Sequence, residues 1–185
     1  MKEESTGEGE VISASTHYLA PTEADAGDAW SAEAASVGRR GTQKIVSAGE
    51  VAAPERVAGL LVMEQGGQVV GRQRIMYLDG EPCELTDTYY PVEIARGTGL
   101  AGTAKIRGGA VRLLAELGYV GTRAQEDVAA RMPSENERAS LSLKADEPVL
   151  ELTRLTLDAD GRPIQVDVMV MPPRGQKLRY EIRIG

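Results

Sequence analysis

The side chains able to do chemistry in this sequence gather in two similar stretches. Residues 72–91, RQRIMYLDGEPCELTDTYYP, carry Arg74, Glu84 and Thr86, and residues 152–172, LTRLTLDADGRPIQVDVMVMP, carry Gln165 and Asp167. Alternate side chains of a β-strand share a face. Glu84, Thr86, Thr88 and Tyr90 therefore form one row, and Gln165, Asp167, Met169 and Met171 another. An arginine among carboxylates and hydroxyls, beside adaptable methionines, suits the floor of a small-molecule site; the plain alternative is a solvated sheet face. Glu84 with Asp167 is the one pair that could act as general acid and base, although such polar residues bind more often than they catalyse.

Other chemistries are poorly provided for. His17 and Cys83 are the single histidine and cysteine, one in an acidic leader and the other on an apolar strand face. Nucleophilic catalysis of the Ser/His/Asp or Cys/His kind thus has no constellation, and no catalytic residue is assigned. A metal would have to be held by carboxylates alone, and neither ERVAGLL nor ENERASL has paired-ligand spacing, so no metal site and no cofactor are expected. Gly97 to Gly102 spells G-x-G-x-x-G, but PVEIAR precedes it where a parallel strand should, which argues against a dinucleotide. Arg107, Gly108 and Gly109 open an amphipathic helix. There, unpaired N–H groups and the helix dipole favour an anion, unless the glycines serve only packing.

The elements that must position these residues follow from periodicity and turn chemistry. Residues 1–37 read as an acidic, flexible leader: eight carboxylates against one lysine up to residue 36, among Ala, Ser, Gly and Thr. Within it Tyr18-Leu19 can dock, and AWSAEAASVG around Trp30 suits a short helix ending at Gly38. From residue 38 to 185 the pattern is that of a single domain. TQKIVSAGEV is a strand, and Pro54 starts a helix. Asp79-Gly80 joins two strands in a hairpin, AVRLLAEL is a helix stopped by Gly118, and Ser134 with Glu137 caps another. Strands follow at about 148–157, 163–171 and 178–184, the first two joined at Asp160-Gly161. Glu55, Leu61, Val69, Arg74, Asp79-Gly80, Pro82 and Pro91 match Glu135, Leu141, Val149, Arg154, Asp160-Gly161, Pro163 and Pro172. Such a helix–strand–turn–strand unit cannot bury its apolar faces alone. The expected fold is α+β: an antiparallel sheet of about six strands, built from two repeated hairpins with flanking helices. Cys83, Leu85, Asp87 and Tyr89, with Ile164, Val166, Val168 and Val170, fall on the side expected to be buried.

Composition bounds the partners. The chain has 185 residues, no Phe, a net charge of −7 and a pI near 4.9. That charge argues against a direct grip on nucleic acid or an anionic membrane. No run of about 18 apolar residues and no signal-peptide pattern is present, so a cytoplasmic location without membrane attachment is expected.

The succession GRQRIMYLDGEPCELTDTYYP, IRGGAVRLLAELGY, EDVAARMPSENERASLSLKADEPVLELTRLTLDADGRPIQVDVMVMP and LRYEI resembles the UTRA domain, the effector-sensing part of GntR-type bacterial transcription regulators of the HutC subfamily. AWSAEAASVGRRGTQKI resembles the approach to this domain in actinobacterial members. The resemblance implies a chorismate-lyase-like fold, a homodimer and a cleft for a small-molecule effector. It also implies action on DNA only through a winged helix-turn-helix that is absent from this chain or supplied by a partner. The family's ligand contacts carry over to Arg74, Thr86, Gly108 and Gly109, and the Gln165–Asp167 region; Glu84 and Arg107 lie beside them. Phosphosugar sensors of the family have a second arginine where Met76 stands and an acid where Thr86 stands, so a phosphosugar is not the expected effector. An enzyme of the chorismate-lyase type acting on a small carboxylate and a stand-alone interaction module are the alternative readings.

Overall fold

The computed structural model describes residues 11–13, 19, 29–174 and 176–181. A six-stranded antiparallel sheet has the order β2-β3-β4-β7-β6-β5. Its strands are β2 (Gly41–Ala52), β3 (Gln68–Leu78), β4 (Glu81–Pro91), β5 (Arg123–Arg131), β6 (Val149–Leu157) and β7 (Pro163–Met171). The β3–β4 turn is tight because Asp79 and Gly80 both take positive φ, 53° and 90°, matching the right-handed twist of the strands. Asp79 also accepts hydrogen bonds from the Arg40 amide (2.8 Å) and Arg39 Nε (2.7 Å). In the second hairpin the Asp158 carboxylate accepts from the amides of Asp160 (3.0 Å) and Arg162 (2.8 Å), closing the turn before β7.

The two hairpins join through β4 and β7, whose register pairs Asp87 with Val168, Thr88 with Asp167 and Thr86 with Met169. A local two-fold axis thus passes between Asp87 and Val168 and exchanges the repeats. Arg74 stands opposite Thr86, as Arg154 stands opposite Asp167. The correspondence read between Arg74 and Arg154 is therefore geometric.

One face of the sheet is covered by the two repeat helices. Helix α2 (Glu55–Leu60) and the chain following it lay Val57, Ala58 and Leu61 on Val69, Leu155 and Val166. Helix α5 (Glu135–Ser140) is started by the Ser134/Glu137 capping box, and Leu141 and Leu143 beyond it pack on Val149 and Val170. Fully burying an aliphatic side chain of this size contributes about 1.5–3 kcal/mol, so an aliphatic core without Phe suffices.

The other face is covered at its two ends. Helix α1 (Ala29–Ser36), inside the stretch read as a leader, buries Trp30 and Ala34 on Met76 and Leu78, and Trp30 Nε1 donates to the Tyr77 carbonyl at 3.1 Å. At the far end α3 (Val92–Ala95), a 3-10 turn (Gly99–Ala101) and α4 (Gly109–Glu116) pack on Val70, Tyr90 and Ile164.

Three sequence readings are corrected. Cys83 and Ile164 do not share a side with Leu85 and Val166: bulges at Met76/Tyr77 and Thr156/Leu157 turn them toward the Trp30 and Tyr90 clusters. Among the described residues the last strand begins before 178. Strand β8 (Gln176–Leu178) pairs in parallel with β1 (Val11–Ser13) outside the main sheet, and residues 179–181 carry no strand. Pro54 precedes α2 as its cap instead of opening the helix. Tyr18 and His17 lie outside the described residues.

Candidate functional site

The face between α1 and the α4 region is where the chemistry-bearing side chains meet. Strand alternation puts Arg72, Arg74, Glu84, Thr86, Thr88 and Tyr90 there from the first hairpin, and Arg154, Thr156, Gln165, Asp167 and Met169 from the second. This face was expected to be outward, and it is not. Thr86 is 3% exposed, Thr88 1% and Asp167 4%. Burying so many polar groups is costly unless they are paired, and the pairing has a definite order.

At the centre, Arg74 Nη2 donates to Thr88 Oγ1 (3.1 Å), and Thr88 Oγ1 donates to Asp167 Oδ1 (2.7 Å). Gln165 Nε2 donates to the other Asp167 oxygen at 2.7 Å. One threonine hydroxyl thereby links a guanidinium on one hairpin to a carboxylate on the other. Arg74 Nε is buried with no hydrogen-bond partner among the described residues, as is Thr156 Oγ1. On the second hairpin Arg154 Nε meets Glu126 Oε1 at 2.5 Å, both side chains nearly fully buried. Thr86 donates to Glu84 Oε1 at 2.5 Å, and burial pushes the Glu84 carboxyl above its ordinary range. Tyr90 is pushed up by burial and by the Asp167 charge, so its phenol stays protonated.

Arg72 takes a different course. Its guanidinium turns to the chain after α3 and donates to the carbonyls of Gly99 and Leu100, each at 3.1 Å, and of Gly102 and Ala104. Burial lowers its pKa. This arrangement gives the physical reason why Gly97–Gly102 is no phosphate cradle. A phosphate loop aims N–H groups inward, whereas here the carbonyls converge, and on a cation.

Five sequence-assigned residues, Arg74, Glu84, Thr86, Gln165 and Asp167, come together on this face. Glu84 and Asp167 do not form an acid/base pair, because Asp167 pairs with Thr88, four residues along β4 from Glu84, about 13 Å at the usual strand rise. Arg107, Gly108 and Gly109 are not on these strands but at the start of α4. Gly108 takes φ 76° there, and Ala110, Leu113 and Leu114 anchor the helix at the Tyr90 end of the face. Missed were Thr88 as the link, Arg154 with Glu126, and Arg72. The repeat pointed to Arg154, and alternation along RAQEDVAAR pointed to Glu126; Arg72 had no local signal, since its partners lie about 30 residues on. Among the described residues no cluster of His, Cys, Asp and Glu is suited to a metal, and no helix is long and apolar enough to cross a membrane.

Comparison with known proteins places this antiparallel α+β fold. The structure superposes on PhnF from Mycobacterium smegmatis with a TM-score of 0.76, at 18% identity, over 95% of this chain and 73% of that one. It superposes on the separately solved effector domain of PhnF with a TM-score of 0.71, at 22% identity, covering 84% and 94%. In sequence, 135 residues are 31% identical to the uncharacterised HTH-type transcriptional regulator SCO4628 of Streptomyces coelicolor, covering 71% of this chain and 50% of that protein. The chain thus spans about half the length of that curated relative. Residues 36–174 match the UTRA domain, and the chain belongs to that family.

Proposed function

We propose that the chain is a small-molecule-sensing, dimerising regulatory domain of a GntR-type transcriptional regulator of the HutC kind. It acts in the cytoplasm, without catalysis, on the DNA binding of an attached or partner winged helix-turn-helix. The observation that carries the reading is Arg74. A guanidinium hydrogen-bonded to Thr88, with a buried Nε that has no hydrogen-bond partner among the described residues, is a donor waiting for an acceptor. Asp167 and Gln165 on the other hairpin and Glu84 and Thr86 beside Arg74 complete a polar floor for the effector, and Arg107 to Gly109 flank it from α4.

Met76 supports an effector other than a phosphosugar, because its side chain packs with Trp30 and supplies no charge. Such an effector shifts the dimer only by its difference in affinity for two arrangements. The enzyme reading gains no support, given the separation of Glu84 from Asp167.

A thermal-shift screen of small carboxylates and other anionic metabolites tests this. A ligand at 100 times its Kd adds about 2.7 kcal/mol to the wild-type chain, and Arg74→Ala and Asp167→Ala abolish the shift while leaving a folded protein. A hit that stabilises the Arg74→Ala variant equally, or turnover of chorismate dependent on Glu84, sinks the reading.

A further inference from the structure

On the opposite face of the sheet, beside α5, lies a cavity of about 300 Å³. Its apolar wall is Val46, Ile75, Leu85, Val168 and Val170, Asp87 lies within it, and Arg74, whose guanidinium bonds Thr88 on the polar face, also contributes to the lining. We propose that this cavity is a second binding site, separate from the polar floor, for a small organic cation: a guanidinium or ammonium on a short apolar stem.

The two copies of the repeat differ on this face. In the first copy, Arg56 of α2 reaches across the sheet face to Glu151 at 2.6 Å and approaches Asp127 at 3.9 Å. A half-exposed guanidinium on an alkyl stem therefore lies over that side of the two-fold axis. In the second copy the position of Arg56 is held by Asn136, one residue after Glu135, the match of Glu55. Asn136 is too short to make the same reach, and it lines the cavity together with Val46. The arginine that α2 supplies on one side thus has no counterpart on α5, and the cations near the cavity are Arg131, engaged by Glu137, and Arg74, which is part of the lining.

The carboxylates on the cavity side differ in availability. Glu137 is spent, held by Arg131 through two bonds of 2.7 and 2.8 Å and by the Ser134 amide. Asp87 is partly buried, with Gln73 and Tyr89 as its hydrogen-bonding neighbours; the Arg74 charge acts on it, but it forms no ion pair among the described residues. A carboxylate in an apolar recess is stabilised by a cation that brings its own apolar stem to the wall. The size fits the low end of small-ligand pockets.

The test is an NMR titration of ¹⁵N-labelled full chain with n-butylguanidinium, and with 1-pentanol as the neutral control. Shifts confined to the amides of Gln73, Ile75, Asp87, Asn136 and Val168 support the site, as does at least tenfold weaker n-butylguanidinium binding in Asp87→Asn with pentanol unaffected. Asn136→Arg, which restores the side chain of the other copy, should remove binding of both probes and raise Tm; it serves even where Asp87→Asn does not fold. Shifts scattered over the acidic surface, or binding unchanged in both variants, overturn the proposal. So do cavity amides that shift on dilution of the free protein, since a second copy then covers this face. Failure here leaves the Arg74 screen untouched, because that screen reads stabilisation by anions lost in Arg74→Ala, whereas this titration reads a cation on Asp87.

Discussion

Arg74 and Arg154 occupy the same place in two copies of one hairpin, yet they keep different company. Arg154 is locked to Glu126 on the edge strand, two charges nearly out of water at 2.5 Å. The residue opposite Arg74 on its own edge strand is Ile45, which offers no charge. Arg74 therefore leans on Thr88 and keeps a donor unbonded. The repeat supplies two equivalent arginines, and the flanking strand decides their fates. One is locked in an ion pair; the other keeps a donor that the proposed effector would engage.

That contrast can be broken by mutation. Arg154→Ala should have the largest effect, since removing one partner of a buried ion pair leaves the other uncompensated at a cost of about 3–5 kcal/mol, measured by urea unfolding. Thr88→Val keeps the shape and removes the link between Arg74 and Asp167. The loss of bonds to two buried charged groups should cost about 1–3 kcal/mol, with the effector response lost as well.

Glu137→Gln should cost about 1 kcal/mol at neutral pH, a figure that allows for the partial exposure of Arg131. The Arg131 guanidinium holds Glu137 down to about 2, below its ordinary 4.5. Its contribution is thus present above 4.5 and lost as pH falls through about 2, so the gap between wild type and variant should close over that interval in acid denaturation. Arg74→Ala should be the mildest for the fold, under about 1 kcal/mol, and severe for ligand binding. If it unfolds the chain as Arg154→Ala does, the asymmetry of the two arginines is wrong.

How much of this was legible in the sequence depended on range. The D-G turns, the capping box at Ser134 and the repeat itself are local or periodic, and they gave the hairpins, the α+β sheet and five members of the polar face. Burial of that face was not legible, because its covers, Trp30 on α1 and the α4 region, are remote from the strands they cover. Cys83 and Ile164 were misplaced since a bulge shifts alternation by one residue, and no residue type announces a bulge. Arg72 was passed over because a cation bound by carbonyls of a distant loop leaves no complementary charge to find. The final strand was set too late, because Gln176–Leu178 pairs with β1, a strand not anticipated in the leader.

The seam between β4 and β7 also sets the order of events in time. Each hairpin closes from neighbouring residues, on a scale of about microseconds. Thr88 and Asp167, 79 residues apart, meet only when the two hairpins dock, and contacts of such separation are the slow ones in folding. A ligand that grips Arg74 and Asp167 together has no partner before that docking. It should leave the refolding rate unchanged and lengthen the lifetime of the folded chain, so that occupancy is read out as slower unfolding.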